Sequence, residues 1–228
     1  MPTAFDEITV GWKVLSLGLE IGRAVSNQVK SWRRNSDHRF LSSLTTLEIV
    51  EEAGKDQVAH YVQDRTVKIR RDGARIPPFK YGSDGKDEFG RVTVVSGRQV
   101  VEYNHRILET NGREKTVGLD VDRVFSKGTI IRCVLTASSI NGFPADAETM
   151  IYTVHDWTDI STTFIIFPRN RPPHDLEVTF RSPDEHVWRQ VTREKNELRH
   201  YPGGRKAFVL EAANPHIGQE YMIAWKWQ

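Results

Sequence analysis

The apolar positions of the chain follow two different periods. Residues 10–34 carry the helical one: Val14, Leu17, Ile21, Ala24 or Val25, Gln28 and Trp32 recur at spacings of three and four, on one stripe of a helix. Lys13, Glu20, Arg23, Asn27 and Lys30 fall elsewhere around it. Gly11, Gly18 and Gly22 each weaken a helix by about 1 kcal/mol relative to alanine, so this one needs a surface to pack on. Arg33-Arg34 suits the negative end of the helix dipole, and Asn35-Ser36-Asp37 reads as a break.

Past residue 40 the period drops to two. The chain is organised around residues 162–181. Residues 164–167 are apolar at every position, as in a strand covered on both faces. Leu176, Val178 and Phe180 alternate with Glu177, Thr179 and Arg181, as in a strand with one wet face. Pro168, Pro172 and Pro173 cannot donate to a ladder, so the chain leaves its sheet between the two runs. A hairpin is expected over residues 44–70, with residues 53–56 as its turn. A helix over residues 40–53 competes, because Leu41, Leu44 and Leu47 also fit helical spacing. Residues 71–90 read as a loop broken by Asp72-Gly73 and Pro77-Pro78.

Further strands follow over residues 92–95, 100–108, 117–125, 130–137, 149–155, 187–191, 207–211 and 221–227. The turn dipeptides between them include Ser96-Gly97, Asn111-Gly112 and Lys127-Gly128. In the last run Tyr221, Ile223, Trp225 and Trp227 share one face, which implies a covered strand that anchors the end of the chain. The predicted class is mainly β: an antiparallel β-sandwich, or two packed β subdomains, preceded by one amphipathic α-helix. The divisions expected are an N-terminal helical segment over 1–40 and a β-rich domain over 41–228, with 168–173 as the candidate subdivision.

Composition narrows the function classes. Of 228 residues 38% are hydrophobic before glycine is counted, enough to bury a core. The 32 basic and 30 acidic side chains leave a net charge of +2, too balanced for long-range attraction to nucleic acid. The single cysteine, Cys133, rules out an intrachain disulfide and a zinc site of the usual cysteine spacing, and its apolar neighbours predict a buried thiol. The opening Met-Pro-Thr-Ala-Phe-Asp-Glu lacks the basic start of a secretory signal, and no apolar run approaches the ~18 residues of a membrane span. A cytoplasmic location is expected.

Candidate chemistry is sparse. The sequence holds no Gly-x-Ser-x-Gly, His-Glu-x-x-His, Cys-x-x-Cys, Gly-x-Gly-x-x-Gly or P-loop pattern. Residues 82–88 lack the alternating acids and distal Glu of an EF-hand. Among eight histidines, His155, His174 and His186 lie beside acids and are the candidate metal ligands, against an ordinary role for Asp and His at strand ends. Arg169 and Arg171, with Arg181 and Arg189 beyond, form a candidate anion-binding corner. Trp157, Trp188, Trp225 and Trp227 suit either an aromatic surface or a core.

No cofactor is implied. The expected function is a non-enzymatic recognition, sensor or adaptor module for a protein partner. Leu17, Ile21, Val25 and Trp32 would mediate self-association or docking, and Arg169 and Arg171 would add contacts. The competing readings are a small-ligand or metal-dependent enzyme using His155, His174 and Glu185, and a nucleic-acid module using the arginine corner. Lipid surface binding by the helix is disfavoured by Glu20 and by its few large apolar groups.

Overall fold

Inward and outward side chains alternate along β1 (His38–Val50) and β2 (Val58–Ile69), the two longest strands. On β1, Ser43, Thr45, Leu47 and Ile49 are buried, and a bulge between Phe40 and Ser42 brings Phe40 to the same face. The two strands pair as the expected antiparallel hairpin, so the described part of residues 40–53, the alternative helix, is strand as far as Val50. The structure is a computed structural model and describes residues 36–51, 56–83, 85–120, 122–191 and 195–228. The candidate residues Leu17, Ile21, Val25 and Trp32, and the helix expected to carry them, lie outside the described residues.

The fold is mainly β, with several sheets. The remaining strands are β3 (Ala74–Arg75), β4 (Phe79–Gly82), β5 (Lys86–Ser96), β6 (Gln99–Tyr103), β7 (His105–Asn111), β8 (Glu114–Leu119), β9 (Val124–Phe125), β10 (Ile130–Ile140), β11 (Ala147–Thr153), β12 (Ile160–Phe167), β13 (Pro173–Arg181), β14 (Arg189–Gln190), β15 (Lys195–Tyr201), β16 (Arg205–Ala213) and β17 (Glu220–Trp227). With β1 and β2, six of them form one eight-stranded sheet in the order β15-β16-β12-β1-β2-β10-β5-β6. A four-stranded sheet runs β11-β17-β13-β14, a three-stranded one β4-β8-β7, and β3 pairs with β9.

Two departures from the expected pattern have physical reasons. The neighbours β1 and β12 are parallel, Leu47 opposite Ile165, so the large sheet is mixed rather than antiparallel throughout. A parallel pair needs a long crossover, and here everything from β2 to β11 lies between its partners. Residues 71–90, expected as a loop, hold β3, β4 and the start of β5. These strands are too short to show a period, and their pairing partners are distant in sequence.

The prolines act as their chemistry requires. Phe167 ends β12 in the eight-stranded sheet, and Pro173 opens β13 in the four-stranded one. The chain therefore changes sheet across the proline corner. At the β7–β8 hairpin Gly112 takes φ +59°, where glycine has no steric penalty.

Two hydrophobic clusters cover one face of the large sheet. The first joins Leu47, Ile49, Tyr61, Ile165, Phe167 and Phe208 to Val178, Tyr221, Ile223 and Trp225 of the four-stranded sheet. The second joins Phe40, Val67, Val92, Val94, Ile131 and Leu135 to Ala74, Phe79, Val117 and Phe125 of the short strands. Cys133 is buried in the second cluster, and burial pushes its thiol up to about 12, so it is not a nucleophile at neutral pH. No helix among the described residues is long and apolar enough to cross a membrane.

Candidate binding cleft

Between the two clusters the inner face of the large sheet turns polar. Along the β1–β2 hairpin the inward pairs are Ile49 with Ala59, Leu47 with Tyr61, Thr45 with Gln63, Ser43 with Arg65, and Phe40 with Val67. The middle two pairs are polar. The band continues onto β12, where the buried Ser161 and Thr163 stand beside Ser43 and Thr45. Neither covering sheet closes over the β1–β2 part of this band. A cavity of about 350 Å³ remains, with Ser43, Thr45, Gln63 and Arg65 in its floor. β4 and the start of β8 form one wall; β11, His155 and Asp156 form the other. Its size is that of a small-molecule or short-peptide site.

Arg65 is the central cation of the floor. Its Nη1 donates to the Pro78 carbonyl (2.9 Å) and its Nη2 to Gln63 Oε1 (3.2 Å). Its guanidinium lies over the rings of Phe79 (4.6 Å) and Phe40 (5.4 Å). Burial lowers its basicity from the ordinary guanidinium value, while Tyr152 and Asp156 favour the charge. Gln63 Nε2 donates to the Lys80 carbonyl (2.8 Å), so the floor ties itself to the edge of β4. His155 stands on the opposite wall, and its imidazolium is disfavoured by its enclosure and then by Lys80 and Arg65, against Asp156 and Glu114.

Beside the cleft, Asp87 fastens the large sheet to the three-stranded one. Its side chain is 2% exposed. It accepts from Tyr81 Oη (3.2 Å), from Ser83 Oγ and from Lys115 Nζ, and Ser83 in turn meets Ser139 (2.9 Å). Burial alone would raise its carboxyl. The bonds from Lys115, Ser83 and Ser139 outweigh that and hold it below the ordinary value. The same site pushes the Tyr81 phenol up, first by burial and then by the Asp87 charge.

The residues singled out from sequence are distributed as follows. His155 lines the cleft, whereas His174 contacts Asp175 (3.1 Å) and His186 lies between β13 and β14. Glu185 is paired with Arg189 (2.6 Å) and does not line the cleft. Among the described residues no group of three or more His, Cys, Asp or Glu side chains is disposed to hold a metal ion. Arg171 lies over Trp227 (4.8 Å), donates to the Ala145 carbonyl (3.2 Å) and faces Glu51 (3.7 Å) and Asp146 (3.8 Å). Arg169 is beside Gly204 and lines a separate hollow with Pro168, Asn170 and Arg205. Arg181 is bonded to Glu220 (2.9 Å) and lies over Trp188 (4.8 Å). Trp225 is core, Trp227 packs against it at 5.8 Å, and Trp157 lies under both Arg39 (4.7 Å) and Arg70 (4.9 Å).

Sequence reasoning missed Ser43, Thr45, Gln63, Arg65 and Lys80. A signal existed for the floor: both arms of one hairpin carry polar residues at two successive inward positions, between apolar ones.

No protein-family model matches the chain, and neither does any curated protein sequence. One solved structure is similar to it in fold, and others superpose less closely. A candidate protease from Parabacteroides distasonis superposes with TM-score 0.54 at 8% identity, over 83% of this chain and 40% of that one. An M1 zinc metallopeptidase from Deinococcus radiodurans gives 0.44 at 11% identity, over 82% of this chain and 42% of the enzyme. A candidate nutrient-binding protein from Legionella pneumophila gives 0.44 at 9% identity, over 82% of this chain and 67% of that one. The chain thus spans well under half the length of the first two proteins. At 8% identity the likeness to the first is one of fold alone.

Proposed function

We propose that the chain is a non-enzymatic recognition module for a protein partner and that the cleft is its recognition site. The observation that carries this reading is the polar band. A sheet face that is apolar at both ends and hydroxyl- and guanidinium-bearing in the middle is costly to bury without partners, and it is left open where two covering sheets part. The enzymatic alternative draws less support, because of His155, His174 and Glu185 only His155 lines the cleft. The nucleic-acid alternative draws less support too, because Arg171 is engaged with Trp227 and with carboxylates. The lone buried Cys133 suits a cytoplasmic setting. Self-association or docking through Leu17, Ile21, Val25 and Trp32 belongs to the same proposal.

The test uses the inert Cys133. Ile151 on β11 is 56% exposed, so Ile151→Cys introduces one reactive thiol at the cleft wall without touching the core. Affinity capture from source-cell lysate is compared for the intact chain and for I151C carrying a bulky maleimide. A partner retained by the first and lost by the second is expected. Partners that ignore the plug would place recognition elsewhere and overturn the reading.

A further inference from the structure

β11 meets the cavity by its edge. A strand that turns a face to a cavity contributes every second residue. β11 contributes Glu148, Thr149, Met150, Ile151, Tyr152 and Thr153 without a gap. It is the terminal strand of its sheet, paired among the described residues with β17 alone. Its other edge therefore offers a row of backbone N–H and C=O groups, a template for one more strand. No proline, lysine or bulge guards it. The facing wall is also a sheet edge, β4, but its Pro78 and Lys80 carbonyls already accept from Arg65 and Gln63. The open edge is β11.

The floor adds a charge requirement. No carboxylate of the described residues stands within ion-pair distance of Arg65, and two neutral oxygens take only part of its five-donor fork. Lys80 and Arg113 line the same cavity, while Glu114, Glu148 and Asp156 face it from the walls, so the acid is called for at Arg65 on the floor rather than by the cavity's total charge. A guanidinium over two phenyl rings, with no carboxylate of the described residues in ion-pair contact, favours a bidentate carboxylate from outside.

We infer that the cleft takes an extended segment of the partner protein, added as a strand to the β11 edge, with an Asp or Glu side chain seated on Arg65. This rests on the cleft being the recognition site proposed above. The segment's inward residues would alternate like Met150 and Tyr152 beside them: apolar or aromatic near Tyr61 and Phe143, acidic over Arg65. Its outward residues would be unrestricted.

Phage-displayed random dodecapeptides are panned on the intact chain, and the enriched sequences are synthesised and measured by fluorescence anisotropy. Enrichment of an Asp or Glu at one fixed position within an alternating β-prone run is expected. Changing that acid to its amide should weaken binding about tenfold or more, and Arg65→Gln should weaken the acidic peptide equally without further harming the amide one. N-methylation on the edge facing β11 should cost about tenfold on the wild-type chain, a readout independent of how well R65Q folds.

Panning that enriches nothing, indifference to N-methylation, or an acid effect that persists in R65Q each overturns the inference. Equal competition by free acetate or inorganic phosphate would make the floor a small-anion site and overturn it as well. Peptides blocked by the labelled I151C chain yet lacking the acid or the N-methyl sensitivity would leave the cleft as recognition site and remove only its acidic-strand ligand.

Discussion

Asp87 and Lys115 show how one buried pair holds two sheets in register beside the cleft. Four neighbours converge on a carboxyl that burial alone would raise. Because its folded pKa is depressed, its contribution is complete above the unfolded carboxyl's pKa of about 3.9. It is lost as the pH falls through the lower folded value. Lys115→Met should destabilise the chain by about 3 kcal/mol at neutral pH, since it leaves a buried carboxylate unpaired. That deficit should shrink in acid, where the carboxyl is protonated in both proteins. Urea melts across the range pH 3–7 check this, and a pH-independent deficit would assign Lys115 a packing role only. Gly90 offers a second case at this scale: a Cβ there would strike Thr136 Oγ1, where β5 bulges against β10, so the close approach of these strands requires glycine.

At the scale of the element, β17 is the strand on which the smaller of the two main sheets depends. It lies between β11 and β13, and its Tyr221, Ile223 and Trp225 are almost fully buried. Trp225 meets Phe143 at 5.5 Å and Phe167 at 5.5 Å, so it locks the cleft wall to the proline corner. Trp225→Ala should cost about 3–5 kcal/mol by cavity formation, measured by chemical denaturation. Removal of residues 221–228 should abolish cooperative unfolding, because β11 and β13 would lose their shared neighbour. A truncated chain that melts cooperatively would contradict this.

For the whole molecule, residues Asp37–Gln228 form one compact unit, whereas the amphipathic stripe over residues 10–34 is an expectation from residue spacing alone. A chain lacking residues 1–35 should keep its cooperative melt but form particles of fewer chains if Leu17, Ile21, Val25 and Trp32 join copies. An unchanged number of chains per particle by analytical ultracentrifugation would end that reading. The cleft also belongs to this scale, since no single stretch builds it: β1 and β2 supply its floor, and β4, β8 and β11 its walls.

Local rules carried much of the architecture. Period-two alternation marked β1, β13 and β17, β-branched content marked β2 as the return arm of a hairpin, turn dipeptides marked further hairpins, and three prolines marked where the chain changes sheet. β15 was not legible, since Lys195-Asn-Glu-Leu-Arg-His-Tyr201 lies at the sheet's edge and offers little apolar face to detect. The site was barely legible. Polar inward residues on β1 and β2 are local facts, but whether they are buried, satisfied or open depends on which distant strands cover them. Backbone period and turn chemistry are set within a few residues and can be read from the chain. The parallel β1–β12 pairing, the gap between two covering sheets and the free edge of β11 arise from contacts between segments far apart in sequence, and only the folded arrangement decides them.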